Sequence, residues 1–361
     1  MTTDSKLAGI RERIDQIDKH LIDLISNRAA LAAEIAELKR EDGAAAVYYR
    51  PEREAQVLRR VISENPGPLS DDAIAILFRE LMSACLALEQ KLKVAFLGPE
   101  GTFTQTAALK HFGQSVQTVP MSRIDEVFHQ VQSGACHYGV VPIENSIEGV
   151  VNHTLDMLIN ANLKISGEVE LRIHQHLMNK TGDKSQIRRI YSHQQSLAQC
   201  RFWLDSNMPG IDRIAVNSNA EAARIAGEDP AAAAVAGAAS AQVYQLQILE
   251  SNIEDEPDNS TRFLIIADKD VQPSGTDKTS LLFSMPSKPG SLLRMLSCFA
   301  DNDVNMTRIE SRPSRRGLWE YVFFVDVDGH QNNDNVAAAI VRLESEASMV
   351  KILGSYPKAV L

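Results

Sequence analysis

The first forty residues carry apolar side chains on alternating steps of three and four: Leu7, Ile10, Ile14, Ile17, Leu21, Leu24, Leu31, Ile35 and Leu38. That spacing is the stripe of one long helix packed against other helices. A helix from about Ser5 to Glu41, stopping at Asp42-Gly43, spans roughly 55 Å. The two helices predicted behind it are shorter. One opens at Arg50-Pro51, where Pro51 suits a first turn, and the other runs from the capping run Ser70-Asp71-Asp72 to about Leu92. They cannot cover the long helix, so an intertwined dimer is the economical fold. One slot of the stripe, between Leu24 and Leu31, holds Arg28. A guanidinium keeps its charge inside a protein, and burying it unpaired costs several kcal/mol. An anion is therefore expected there, from the protein or from a ligand.

Helix rotation sorts the other basic residues. Arg28 and Lys39 lie about 1100° apart, which returns them to one face within roughly 20°. Arg11 is roughly 100° away from Arg28, so it serves another pocket, which an antiparallel dimer can supply from the partner chain. Arg53 and Glu89, on the second and third helices, can wall such a pocket. The set reads as a site for a dianion, with solvated charges and a structural ion pair as the plainer alternative.

The rest of the 361-residue chain has room for two further domains. Residues 93–272 alternate short apolar strands (Val94–Leu97, Tyr138–Ile143, Arg189–Ser192, Ile214–Asn217, Ala232–Ala236, Phe263–Ala267) with helices, an α/β pattern. Residues 279–356 read βαββαβ, the ferredoxin-like order; the linker Asp268–Asp277 separates the two. A net charge of -10 excludes a global basic field for nucleic acid. The polar N-terminus shows no signal peptide, and no apolar run approaches the ~20 residues of a membrane span. Cys85, Cys136, Cys200 and Cys298 are widely spaced, so a reduced cytoplasmic protein is expected, with no metal and no cofactor.

Three strand-to-helix junctions are dense in polar groups. Gly98-Pro99-Glu100-Gly101-Thr102-Phe103-Thr104-Gln105 combines close backbone approach with capping hydroxyls. The strand ending in Glu144-Asn145-Ser146-Ile147-Glu148-Gly149 stops abruptly in polar side chains. Asn259-Ser260-Thr261-Arg262-Phe263 sends an arginine into a buried strand, which again calls for a polar partner.

These residues resemble known families. Residues 5–92, through Arg11, Arg28, Lys39, Arg53-Glu54 and Glu89, resemble the all-helical chorismate mutase domain. The resemblance implies rearrangement of chorismate to prephenate by positioning and electrostatics. Arg11 and Arg28 would hold carboxylates, Lys39 a carboxylate and the ether oxygen, and Glu54 the hydroxyl. Glu89 stands where relatives can carry Gln, so it would act protonated, as a donor. Cys85 replaces a family Ser and Arg50 an acidic residue.

Residues 93–268 resemble prephenate dehydratase through Glu144-Asn145-Ser146 and Thr261-Arg262-Phe263, supported by Tyr191-Ser192-His193-Gln194-Gln195 and Glu221–Ala226. Gln194 replaces the usual Pro and Ile147 a common Thr. The family implies two lobes of periplasmic-binding-protein type, the second near 180–258, with decarboxylation and dehydration of prephenate in the cleft. Thr261 would serve the departing hydroxyl, with Thr102, Glu144, Asn145, Ser146 and Arg262 as substrate-binding candidates. His193 is read as structural.

Residues 277–361 resemble an ACT regulatory domain through Pro289-Gly290-Ser291-Leu292-Leu293 and Glu310-Ser311-Arg312-Pro313. Phenylalanine between two such domains is the implied ligand and inhibitor. The expectation is a multidomain homodimer or tetramer: an all-α intertwined mutase domain (1–92), an α/β two-lobed dehydratase domain (93–272) and an α+β ferredoxin-like regulatory domain (277–361). A two-lobed solute receptor, or a mutase on a non-catalytic scaffold, are the competing readings.

Overall fold

A computed structural model describes residues 3–41, 49–285, 288–313 and 321–360. The turn expected at Asp42-Gly43 and the last residue, Leu361, lie outside them. Helices α1 (Thr3–Glu41), α2 (Pro51–Ser63) and α3 (Asp71–Glu89) form the N-terminal part. Pro51 occupies the first turn of α2, and Ser70 caps α3 by accepting from Ala73 N at 3.2 Å.

The chain covers α1 on a different face from the leucine stripe. Ala36 is buried, Ala29, Ala32 and Ala33 are half-buried, and α3 is the helix that packs there. Short side chains allow that close approach. Arg28 and Lys39 lie half-buried along this alanine face. Arg28 is therefore not buried inside the apolar seam of its own protomer, as its heptad position suggested. The stripe itself is open, with Leu24 65% and Leu31 60% exposed.

The middle region begins with β1 (Lys93–Leu97), α4 (Phe103–Phe112), β2 (Gln117–Met121), α5 (Ile124–Gln132), β3 (Tyr138–Asn145), β4 (Gly149–Val150), α6 (Asn152–Asn160) and β5 (Lys164–Arg172). A second lobe follows: β6 (His176–Asn179), β7 (Arg189–His193), α7 (Gln194–Gln199), α8 (Arg201–Asn207), β8 (Asp212–Val216), α9 (Asn219–Glu228), β9 (Ala232–Ala236), α10 (Ala238–Tyr244) and β10 (Gln247–Glu250). The chain then returns to the first lobe as β11 (Ser260–Ala267). The first sheet runs β2-β1-β3-β11-β5, with β4 paired to β3, and the second runs β10-β6-β9-β7-β8.

The two crossing segments are stapled together. Glu254 bonds His174 Nδ1 at 2.7 Å through one oxygen and accepts from Gln175 N at 2.9 Å through the other. The second lobe starts at β6, earlier than the expected 180. Sequence reading passed over β2, β5, β6 and β10, whose polar or proline-containing strings lack a clean alternation. In the second lobe, β9 is alanine at four of five positions and fully buried. Its short side chains let Ala222, Ala223 and Ala226 of α9 pack directly on the sheet.

The last region is β12 (Asp277–Ser284), α11 (Ser291–Ala300), β13 (Met306–Pro313), β14 (Tyr321–Asp328), α12 (Asp334–Glu346) and β15 (Met349–Pro357). Its antiparallel sheet has the order β13-β14-β12-β15, the ferredoxin-like arrangement expected. Helices α11 and α12 cover one face around Phe283, Phe299, Val325 and Leu343. The other face shares a continuous core with the first lobe, joining Leu282, Phe324, Leu353 and Tyr356 to Val141, Ile143, Leu155 and Leu264. Contact is close enough that a Cβ on Gly354 would collide with the Ile165 backbone. Helix α2 reaches the same junction, where Arg59 donates to Ser274 Oγ at 3.0 Å and Thr276 O at 2.7 Å.

Candidate active sites

On the N-terminal helices, Lys39 Nζ donates to Glu89 Oε2 at 3.1 Å, tying the end of α1 to the end of α3. Glu89 is thus an acceptor in this geometry, not the donor expected from its place in the site. Arg28 shares the half-buried face with Lys39, as helix rotation required. Arg11 is exposed, and within one helix its separation from Lys39 is roughly 42 Å. A single protomer therefore cannot close a pocket from all three. Arg50 and Arg53 are exposed at the start of α2, and Cys85 is buried one turn before Glu89.

Glu54 departs from expectation. It accepts from Arg79 Nε at 3.2 Å, in a buried knot where α2 and α3 meet α4. Arg79 also donates to Lys110 O at 2.9 Å. Tyr49 Oη lies 3.2 Å from His111 Nε2. Burial pushes the Glu54 carboxyl above its ordinary range despite Arg79. The same burial, with Arg79 adding to it, lowers His111 to about 3. Glu54 thus holds Arg79, whose other bond crosses to α4, and its carboxylate is engaged within the chain.

In the two-lobed region, β3 and β11 run antiparallel with Asn145 opposite Thr261 and Glu144 opposite Arg262. Alternation along a strand sends these two pairs to opposite faces. On the cleft side, Asn145 Nδ2 donates to Thr261 Oγ1 and to Asn259 Oδ1, both at 2.8 Å. Asn145 Oδ1 accepts from Ile147 N and Glu148 N, each at 3.0 Å. Those two backbone donors fix which end of the amide faces Thr261. Thr261 therefore accepts through its oxygen, and no described residue takes its own proton. A hydroxyl polarised in this way can donate to a ligand in the cleft.

Ser146 Oγ accepts from Ser260 N at 3.0 Å and locks the loop against β11. Thr102 caps α4 toward Gln105 N and donates to Leu97 O at 3.1 Å, so its hydroxyl is occupied locally. Gly101 takes a positive φ of 85°, and a Cβ there would lie 3.1 Å from Ser240 of the second lobe. Ser240 Oγ donates to Gly101 O at 2.8 Å. Across the cleft, Gln195 Nε2 reaches Glu148 Oε2 at 3.4 Å and Asn259 Nδ2 reaches Gln199 Oε1 at 3.3 Å. His193 accepts from Gln195 N as the cap of α7, the structural role expected of it.

The opposite face corrects two assignments. Arg262 donates through Nε to Glu168 Oε2 at 2.9 Å and through Nη2 to Asp326 Oδ2 at 2.5 Å. Glu144 accepts from Arg308 Nε at 2.9 Å. Both residues bind the regulatory sheet and neither faces the cleft. Burial opposes ionisation of Asp326, but Arg262 and the Ser280 hydroxyl outweigh it and hold the carboxyl below its usual range. Asn259 and Arg308 had been given no role from sequence. Asn259 lay inside a flagged polar block, whereas nothing in the sequence marked Arg308.

In the regulatory domain, Gly290 has φ of 78° and caps α11, and Ser291 is buried beneath it. Leu292 is half-buried, and Leu293 points outward. On β13, Glu310 is half-buried while Ser311 and Pro313 are exposed. Arg312 is committed elsewhere: Nη2 and Nε bond Asp156 Oδ1 of α6 at 2.7 and 3.1 Å, and Nη1 bonds Asn152. It is an interdomain residue in this structure, not a free ligand contact. Among the described residues, no helix is long and apolar enough to cross a membrane.

Three family profiles tile the chain: Chorismate mutase type II over residues 10–90, Prephenate dehydratase over 94–271 and ACT domain over 279–345. A bifunctional chorismate mutase/prephenate dehydratase of Pseudomonas aeruginosa is 53% identical over the whole of both chains. A protein of the same description from Aquifex aeolicus is 44% identical over 99% of each. Among solved structures, the prephenate dehydratase of Arthrobacter aurescens in complex with L-Phe matches 74% of this chain and 90% of its own. Its identity is 35% and its TM-score 0.68.

Proposed function

Because this chain belongs to the family of bifunctional chorismate mutase/prephenate dehydratases, we propose that it converts chorismate to prephenate and prephenate to phenylpyruvate, with phenylalanine as feedback inhibitor. The observation that carries the second activity is the 2.8 Å bond from Asn145 to Thr261, which leaves the threonine proton available in the cleft. Loss of the ring carboxylate as carbon dioxide supplies electrons that expel the ring hydroxyl. Thr261 donates toward that departing oxygen, and solvent replaces the proton, since an alcohol alone is a weak acid. Asn145 holds Thr261 in place, and Ser146 holds the loop that carries Asn145.

For the first activity, Lys39 and Arg28 of one chain and Arg11 of a second copy would surround chorismate. The open Leu24–Leu31 stripe, too apolar to remain bare in water, supports an intertwined homodimer. Pairing of two regulatory domains through the exposed Leu293 side would place phenylalanine between them, as a dimer or as a tetramer. The reading assigns no cofactor and a cytoplasmic location.

Incubation with chorismate, and separately with prephenate, tests it. Phenylpyruvate absorbance in base should appear from both substrates and fall when phenylalanine is added. A protein that binds prephenate without turning it over is the solute-receptor alternative, and that result overturns the dehydratase reading.

A further inference from the structure

The loop that carries Asn145 is gripped at both ends by one strand of the regulatory sheet. Glu144, immediately before it, pairs with Arg308 Nε at 2.9 Å. Asn152 and Asp156, in the first turns of the helix that follows, pair with Arg312, at 2.7 Å for Asp156. Arg308 and Arg312 are four residues apart on β13, so both face the first lobe and stand about 13 Å apart. Side-chain burial agrees, at 12% exposed for Arg308 and 13% for Arg312. The far end of α6 is held too: Lys351 of β15 donates to Leu158 O at 2.9 Å and Ile159 O at 3.1 Å.

Strand β11 is held from the same side. Arg262, next to Thr261, joins Asp326 of β14, while Lys278 of β12 joins Glu168 at 2.7 Å. Each strand thus shows one residue to the cleft and the adjacent residue to the regulatory sheet. The backbone between them is a single peptide unit, so displacement of the gripped residue moves its cleft neighbour. Arg308 Nη2 is buried without a hydrogen-bond partner among the described residues, which leaves a donor for a second arrangement of this interface.

We propose that Arg308 and Arg312 are positioning residues for the dehydratase reaction: strand β13 sets the place of Asn145, and through it Thr261, from the reverse face of the sheet. The proposal rests on the dehydratase reading above. It gives the Glu310–Pro313 segment, which resembles the phenylalanine-responsive motif, a direct physical route to the cleft, because Arg312 lies within it.

The test uses the full-length protein with the variants Arg308→Gln, Arg308→Lys, Arg312→Gln, Glu144→Gln and the double variant Glu144→Gln/Arg308→Gln. For Arg308→Gln and Arg312→Gln, dehydratase kcat should fall at least about tenfold, with KM for prephenate within about threefold of the parent. The L-phenylalanine inhibition curve should shift, and chorismate mutase turnover should stay at the parental level as an internal measure of folding. Arg308→Lys should recover part of the loss, and the double variant should be no worse than the poorer single one. Parental kcat with a parental response to L-phenylalanine overturns the proposal. So does a parallel fall of both activities with a lowered Tm, or full additivity of the two substitutions. The parent protein's own phenylpyruvate production reports on the dehydratase reading separately, and the variants' ratios to it report on the clamp alone.

Discussion

Asn145 and Thr261 stand opposite each other on antiparallel strands, and the Asn145 amide donates to the Thr261 hydroxyl across 2.8 Å. The threonine oxygen is the acceptor, so its hydrogen is the group that remains for chemistry. Thr261→Ala should therefore lower dehydratase kcat by about 100-fold or more, and Thr261→Ser should retain most of it. Asn145→Ala removes the orienting bond together with those to Asn259, Ile147 and Glu148, and a loss of at least about tenfold is expected. Phenylpyruvate formation from prephenate measures all three, and chorismate mutase turnover should be unmoved in each. Parental dehydratase activity in Thr261→Ala would remove the threonine from the mechanism.

Arg11 and Lys39 lie on one helix yet too far apart to meet. If each mutase site takes Arg11 from one chain and Lys39 from the other, Arg11→Ala and Lys39→Ala should each be inactive as pure proteins. Unfolded together and refolded, they should regain about a quarter of parental mutase activity. Half the dimers are then mixed, and each mixed dimer holds one intact site of two. No recovery on mixing would remove Arg11 from the partner chain's site.

Glu89 accepts from Lys39 in this structure, whereas a site that stabilises a developing oxyanion needs a donor at that position. Glu89→Gln places an amide donor at that position, so mutase turnover in the variant should at least match the parent's. A fall of about tenfold or more in Glu89→Gln would show that the carboxylate, held by Lys39, is the form the site uses.

His111 is half-buried against Tyr49 and Phe112, and desolvation, with Arg79 adding to it, lowers its folded pKa to about 3 from 6.5. Between those values the unfolded chain binds a proton that the native chain does not. The contribution to stability is complete above about pH 6.5 and is lost as pH falls toward 3, at about 1.4 kcal/mol per pH unit. Unfolding free energies of the parent and of His111→Gln, from urea titrations between pH 7 and 4, should diverge by that slope. Parallel curves would show that His111 is protonated without cost.

Much of this organisation was legible in the chain. The three-and-four spacing predicted one long helix, strands alternating with helices predicted an α/β region whose two lobes were implied by its resemblance to prephenate dehydratase, and βαββαβ predicted the last domain. Rotation about α1 placed Lys39 with Arg28 and separated Arg11. Glu144-Asn145-Ser146 and Thr261-Arg262-Phe263 were legible as motifs because polar side chains rarely interrupt buried strands. Strand β5 was not legible, because its glycine and charged residues break the alternation while β11 and β15 still bury it.

What the sequence by itself determined is the elements and the polar junctions that carry the candidate groups, because local spacing and capping depend on neighbours in the chain. Which face each motif residue uses was decided only by the tertiary structure. Thr261 and Arg262 are adjacent, yet one serves the cleft and the other Asp326, more than sixty residues away in the chain. Glu54 joined Arg79 for the same reason. A buried charge takes the partner that packing brings within reach, and packing between domains has no local signature in the chain.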